Sequence, residues 1–197
     1  MSSELTHAPA AAPAPGVLDW FYGVLFRPRE VYATWPLDHA HSAAALAVVL
    51  VAVIGGFTSA GSGAGAVVLG FATWLGWLVL GWFTSTALMF VIGRVMTRQG
   101  EFMPLLAATG LAFLPMILAG PMTAIAKFGR MGLVIGAIGE LAVLIWYLRL
   151  LLAAVKGVMG LTTGQAVIAL VIAELTVAAV PWLLFTLGIM SMVLAFT

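Results

Sequence analysis

Along most of this chain the apolar residues do not alternate with polar ones. They run together in blocks too long for a strand and too greasy for the single buried stripe of a soluble helix. Blocks fall at residues 42–60, 66–96, 104–120, 132–157 and 165–185, and several reach the ~20 residues that a helix needs to cross a bilayer. The pattern predicts an all-α, polytopic transmembrane bundle of five helices occupying residues 42–197.

The breaks between blocks predict where helices end. GSGAG at 61–65 is too flexible to prolong the first span comfortably. The second block is longer than one bilayer needs. Trp74 and Trp77 at an outer aromatic belt, with Arg94 at the inner end, would mark a normal span within it, and a longer, strongly tilted helix is the alternative. RVMTRQGE at 94–101 is a polar turn. The third span starts at Pro104 and carries Pro115, which removes one backbone donor and predicts a kink. Carbonyls freed in a membrane need neighbours, so this helix is expected inside the bundle. Residues 122–130 (MTAIAKFGR) predict an interfacial loop, residues 155–164 a Gly/Thr turn, and Pro181 an interruption of the fifth span.

Two polar regions precede the spans. Residues 1–16 (HAPAAAPAPG within them) form an Ala/Pro-rich tail with too little apolar surface to fold. Residues 17–41 mix aromatic and charged side chains and are too polar to span. They predict two short amphipathic helices, the second starting at Pro28. Trp20, Arg27, Arg29 and Trp35 are the candidate membrane-interface contacts of this segment, and docking on the cytoplasmic ends of the bundle is the equal alternative.

Charge then orients the chain. With the N-terminus inside, cytoplasmic segments hold Arg27, Arg29, Arg94, Arg98, Arg149 and Lys156, and outer segments only Lys127 and Arg130. Lys and Arg favour the cytoplasmic side, so the N-terminus is expected in the cytoplasm and the C-terminus outside. A composition 63% hydrophobic and 8% charged excludes a soluble domain, and a net charge of +1 points to no nucleic-acid partner. The expected partners are the lipid bilayer and other membrane proteins or further copies of the chain.

Two carboxylates lie deep in apolar runs, Glu140 and Glu174. An acid in hydrocarbon costs about 2.5–3.5 kcal/mol on insertion scales and needs a partner or a proton. Folding the chain back at 155–164 brings the two to similar depth, which makes them the candidate intramembrane polar site. Glu140 shares a helix face with Gly132 and Gly136, small residues that let another backbone approach. The acids share a proton or cation, or form a structural pair that sets helix register, or are separate protonated acids each hydrogen-bonded to a neighbouring helix, with Thr84, Ser85, Thr86 and Thr109 available. Arg149 stands near the cytoplasmic end of the fourth span, where its side chain can snorkel to phosphates.

Enzymatic chemistry finds no motif. There is no cysteine, the three histidines precede the first span, and neither His-Glu-x-x-His nor Gly-x-Ser-x-Gly occurs. No cofactor or metal is expected. The Gly63–Gly65 cluster lacks the Lys-Ser/Thr of a phosphate loop.

FRPREVY before the first span, RQGEFMPLLAATGLAFLPMIL through the third, and IWYLRLLLAAVKGVMGLTTGQAVIAL across the fourth turn together resemble the bacterial branch of the Yip1-domain family over residues 19–197. The resemblance implies a multi-pass protein of the bacterial inner membrane with a role in trafficking or membrane organisation. With no enzymatic motif, the expected function is a non-enzymatic scaffold or adaptor acting through helix contacts and the cytoplasmic segment. Eukaryotic members bind Rab-type GTPases. Their Asp-Leu-Tyr-Gly-Pro signature is absent here, DWFYG at 19–23 being a loose echo, so GTPase binding is not carried over. The alternative function is a small proton- or cation-coupled carrier using Glu140 and Glu174 with the proline-broken helices.

Overall fold

The computed structural model describes residues 15–59 and 64–196, with 180–196 as backbone alone. The described residues are helical and contain no strand. Two short helices, α1 (Val17–Phe26) and α2 (Pro28–Thr34), lead through a 3-10 turn at Leu37–His39 into α3 (His41–Ser59). The long α4 (Ala64–Thr97) follows, then α5 (Phe102–Ala112), a 3-10 segment (Leu114–Leu118) and α6 (Ala119–Ala126). Helices α7 (Gly129–Met159) and α8 (Thr163–Phe196) complete the chain. Residues 1–14 of the Ala/Pro-rich tail, residues 60–63 and Thr197 lie outside the described residues.

Four helical segments among the described residues are long and apolar enough to cross a membrane: α3, α4, the α5–α6 unit and α7. The protein is multi-pass. The fifth expected span falls on α8, 34 residues of continuous helix, of which residues up to 179 are described in full. Pro181 does not divide it, because the helix runs on from Thr163 to Phe196 without a break. The second block likewise forms a single helix of 34 residues, about 51 Å at 1.5 Å per residue. It is the longer helix of the two alternatives, since nothing in its sequence interrupts the apolar run.

Proline shapes the third span as its chemistry requires. Pro115 sits early in the 3-10 segment, α5 stops at Ala112, and α6 resumes at Ala119. Residues 122–126 were expected in an interfacial loop and instead belong to α6. Pro121 is the third residue of that helix, where its missing N–H would have no intrahelical partner. This broken unit is the centre of the bundle. In its most apolar stretch 56% of residues are buried, against 17% in α4 and in α7. Every residue from Ala107 to Ala112 is buried. Helices α3, α4 and α7 pack around α5, and α8 packs on α4.

Glycine sets the closest approach. A Cβ at Gly132 would run into the Ile125 carbonyl oxygen, and one at Gly136 would stand 2.7 Å from the Ala126 Cβ and 2.8 Å from the Met122 carbonyl oxygen. The small-residue face of α7 therefore packs on α6. Gly160, in the left-handed conformation at φ 62°, ends α7. Thr162 and Gln165 then cap the start of α8 reciprocally: the Thr162 N–H donates to Gln165 Oε1 at 3.0 Å, and the Gln165 N–H to Thr162 Oγ1 at 3.4 Å.

Gly136→Val should overpack the α6–α7 contact and destabilise the protein by about 1–3 kcal/mol. Gly76→Val, at a position with nothing within 4 Å, serves as the control. Thermal unfolding in detergent should show a lower midpoint for the first variant and little change for the second.

Candidate functional site

The two acids of the candidate polar site occupy separate environments. Glu140 lies 19 residues before the end of α7 at Met159, and Glu174 lies 11 residues after the start of α8 at Thr163. The difference of eight residues corresponds to about 12 Å of depth measured from their shared turn. The expectation of similar depth assumed a turn beginning at 155, whereas α7 continues to Met159 and carries Glu140 further away. Glu140 is exposed and accepts a hydrogen bond from Thr123 Oγ1 of α6 at 2.9 Å. This bond continues the contact line begun by Gly132 and Gly136. Glu174 is half-buried, and its Oε1 is buried without a hydrogen-bond partner among the described residues. Tyr147 of α7 lies at about the same depth, 12 residues before the end of its helix, and packs on Phe113 at 5.2 Å.

Two of the threonines available to those acids, Thr86 and Thr109, serve another contact. Thr86 of α4 and Thr109 of α5 share a buried hydrogen bond of 2.8 Å. Trp82 Nε1 donates to Thr109 Oγ1 at 3.0 Å and to the Leu106 carbonyl at 3.1 Å. This α4–α5 clamp escaped the sequence reading. Its only signal was the spacing of Trp82 and Thr86, four residues apart and so on one helix face.

The charged end of the molecule holds the more developed surface. There the α4–α5 turn meets the α7–α8 turn: Thr97 Oγ1 donates to the Met159 carbonyl at 3.1 Å, and Arg94 closes its own turn on the Gly100 carbonyl at 2.9 Å. Helices α1 and α2 dock beside these turns. Trp20 is 1% exposed and meets Trp35 edge-on at 5.0 Å, with Val24, Val31 and Tyr32 also buried. Tyr32 reaches α5, its hydroxyl donating to the Ala108 carbonyl at 3.2 Å. Gly157 of α7 lies against its backbone, leaving no room for a side chain. Burial pushes the Tyr32 hydroxyl well above the usual phenol range.

These positions correct the expected interface contacts. Trp20 faces the protein interior and Trp35 is half-buried against it, because a docked helix turns its most apolar side to the bundle. The outward face of α1 carries Leu18, Tyr22 and Phe26 instead, at 80%, 59% and 64% exposure. Arg27, Arg29 and Arg149 are exposed, and Arg27 makes a loose ion pair with Glu30 at 3.9 Å.

This arrangement of a docked helical layer, a proline-broken central helix and long apolar helices coincides with a known domain, since the Yip1 domain model matches residues 22–192. The chain belongs to the Yip1 family. No curated protein and no solved structure matches it. The Yip1 match begins within α1 and includes α2, so the Yip1 domain of this chain takes in the docked layer as well as the bundle.

Two predictions follow from the separate placement of the acids and the seating of Tyr32. In this cysteine-free Yip1 chain, Thr123→Cys with Glu140→Cys should crosslink on oxidation, whereas Glu140→Cys with Glu174→Cys should not, as read by peptide mapping. Tyr32→Phe removes the bond to Ala108 and should cost about 0.5–1.5 kcal/mol. The phenol is neutral in the folded protein and ionises near 10 when unfolded. Its contribution is therefore complete below about pH 10 and declines as pH rises further, and the Phe variant should lose that part of the alkaline slope.

Proposed function

We propose that this Yip1-family protein is a non-enzymatic membrane scaffold or adaptor, spanning the bilayer five times with its N-terminus in the cytoplasm and its C-terminus outside. The observation that carries the reading is the α1–α2 layer. One side is anchored in the bundle through Trp20, Val24, Val31 and Tyr32, and the other presents Leu18, Tyr22 and Phe26 beside Arg27 and Arg29. A layer seated this way is preorganised, so a partner meeting it has little ordering to impose. Six of the eight Lys and Arg residues belong to this end, in the α1–α2 layer, the end of α4 and the turn after it, and the C-terminal part of α7, while Lys127 follows α6 and Arg130 lies in the first turn of α7. That asymmetry supports the orientation. The length and apolar sequence of α8 support the fifth span. Membrane organisation is the process that the family resemblance implies.

The carrier alternative has less support. Its two acids stand about 12 Å apart in depth, and Pro181 does not break α8.

A reporter fused after Thr197 should be active outside the cytoplasm, and one inserted at Gln99 inside it. A cytoplasmic C-terminal reporter would refute the span count and the orientation together. Photo-crosslinking residues at Tyr22 and Phe26 in native membranes should give discrete protein adducts. Ion-dependent uptake into proteoliposomes, abolished by Glu174→Gln in folded protein, would instead establish the carrier.

A further inference from the structure

Between α1, α2, α7 and the start of α8 lies a cavity of about 540 Å³, within the range of small-molecule sites. Three cationic side chains line it, Arg29, Arg149 and Lys156, together with Phe26, Trp146 and Thr163. No carboxylate is among the lining residues. Lys156 Nζ donates to Thr163 Oγ1 at 2.7 Å, which orients the ammonium and leaves two of its three donors unused. The one ion pair among the described residues, Arg27–Glu30, lies outside the lining. Three positive charges facing one space without a counter-charge call for an anion.

The depth of the cavity identifies the kind of anion. Arg130 and Arg149 are 19 residues apart on α7, about 28 Å along the helix and close to the thickness of the hydrocarbon core. Glu140 is the only charged residue between them. With Arg130 at one membrane surface, Arg149 stands at the other, at headgroup level. Lys156 is two turns further out, and Trp146 one turn further in, beside the exposed apolar surface of Leu141, Leu144 and Ile145. Cations above an aromatic wall that opens onto a lipid-facing helix match a molecule with an anionic head and an apolar tail.

The geometry points to a binding site for one anionic phospholipid, its phosphate held by Arg29, Arg149 and Lys156 and its acyl chain lying along α7 past Trp146. This inference rests on the membrane-embedded reading of α7 but not on the scaffold role. A lipid seated there would touch α1, α2, α7 and α8 at once, and would couple the docked layer to the leaflet composition.

Full-length protein in phosphatidylcholine nanodiscs, titrated with brominated-chain phosphatidylglycerol or brominated phosphatidylcholine, tests the site through tryptophan quenching, with Trp146→Phe isolating that residue's share. Native mass spectrometry of the same samples counts retained lipid. Phosphatidylglycerol should quench Trp146 at a mole fraction at least about tenfold lower than phosphatidylcholine, since each interfacial cation contributes attraction to anionic lipid. Combined Arg29→Gln, Arg149→Gln and Lys156→Gln should bring the two curves together, while Arg29→Lys with Arg149→Lys should keep most of the preference. Arg94→Gln with Arg98→Gln removes two positive charges from the same end, outside the cavity, and should leave the preference intact. Coincident curves for the unmodified protein, a preference that survives the triple substitution, or equal loss in the Arg94/Arg98 control would overturn the site. Loss of the preference in millimolar inorganic phosphate at constant ionic strength would reassign the cavity to a soluble phosphate. The reporters at Thr197 and Gln99 read orientation independently, so failure of the lipid site and failure of the topology are distinguishable.

Discussion

Hydrocarbon offers no hydrogen-bond partner, so each backbone donor or acceptor inside the membrane must be satisfied by the protein itself. Most of this chain meets the requirement with uninterrupted helix. The third span cannot, because Pro115 has no N–H to give and its ring excludes the ordinary helical turn. The 3-10 segment at Leu114–Leu118 is the local response, and burial at the centre is the tertiary one. Helices α3, α4 and α7 surround this unit, and the other helices take their places relative to it.

Side chains that approach the broken span from different directions show how it is held. From α4, Trp82 and Thr86 reach Thr109, and Trp82 also bonds the Leu106 carbonyl. From α2, Tyr32 donates to the Ala108 carbonyl. From α7, Gly132 and Gly136 admit the α6 backbone at distances that a side chain would forbid. The docking of α1–α2 thus belongs to the same packing problem as the membrane helices. A segment polar enough to lie on a membrane surface is joined to the bundle through one phenol and two indoles, and its charged residues remain outside. In this Yip1-family protein the cationic cavity arises from that docking, since Arg29 of α2 is brought to Arg149 and Lys156 of α7.

Much of this was legible in the amino-acid order, and the reasons are local. Long apolar runs announce membrane helices, Pro28 marks the start of α2, and Pro115 marks the break in the third span, because hydropathy and proline sterics act on the residues that carry them. Gly132, Gly136 and Glu140 read as one face through helical periodicity alone, and the charge imbalance between segments is a property of composition. What these signals cannot specify is the partner of each face. Two surfaces of equal apolarity are interchangeable until packing selects one, which is why the glycine face of α7 meets α6, why Trp20 turns inward, and why Glu140 finds Thr123 while Glu174 does not. Nor does the order alone distinguish a helix that stops at 155 from one that continues to Met159. That one-turn difference in α7 widens the depth between the two acids by about 6 Å, and only the tertiary structure decides it, because a turn is placed by the contacts of both its flanks.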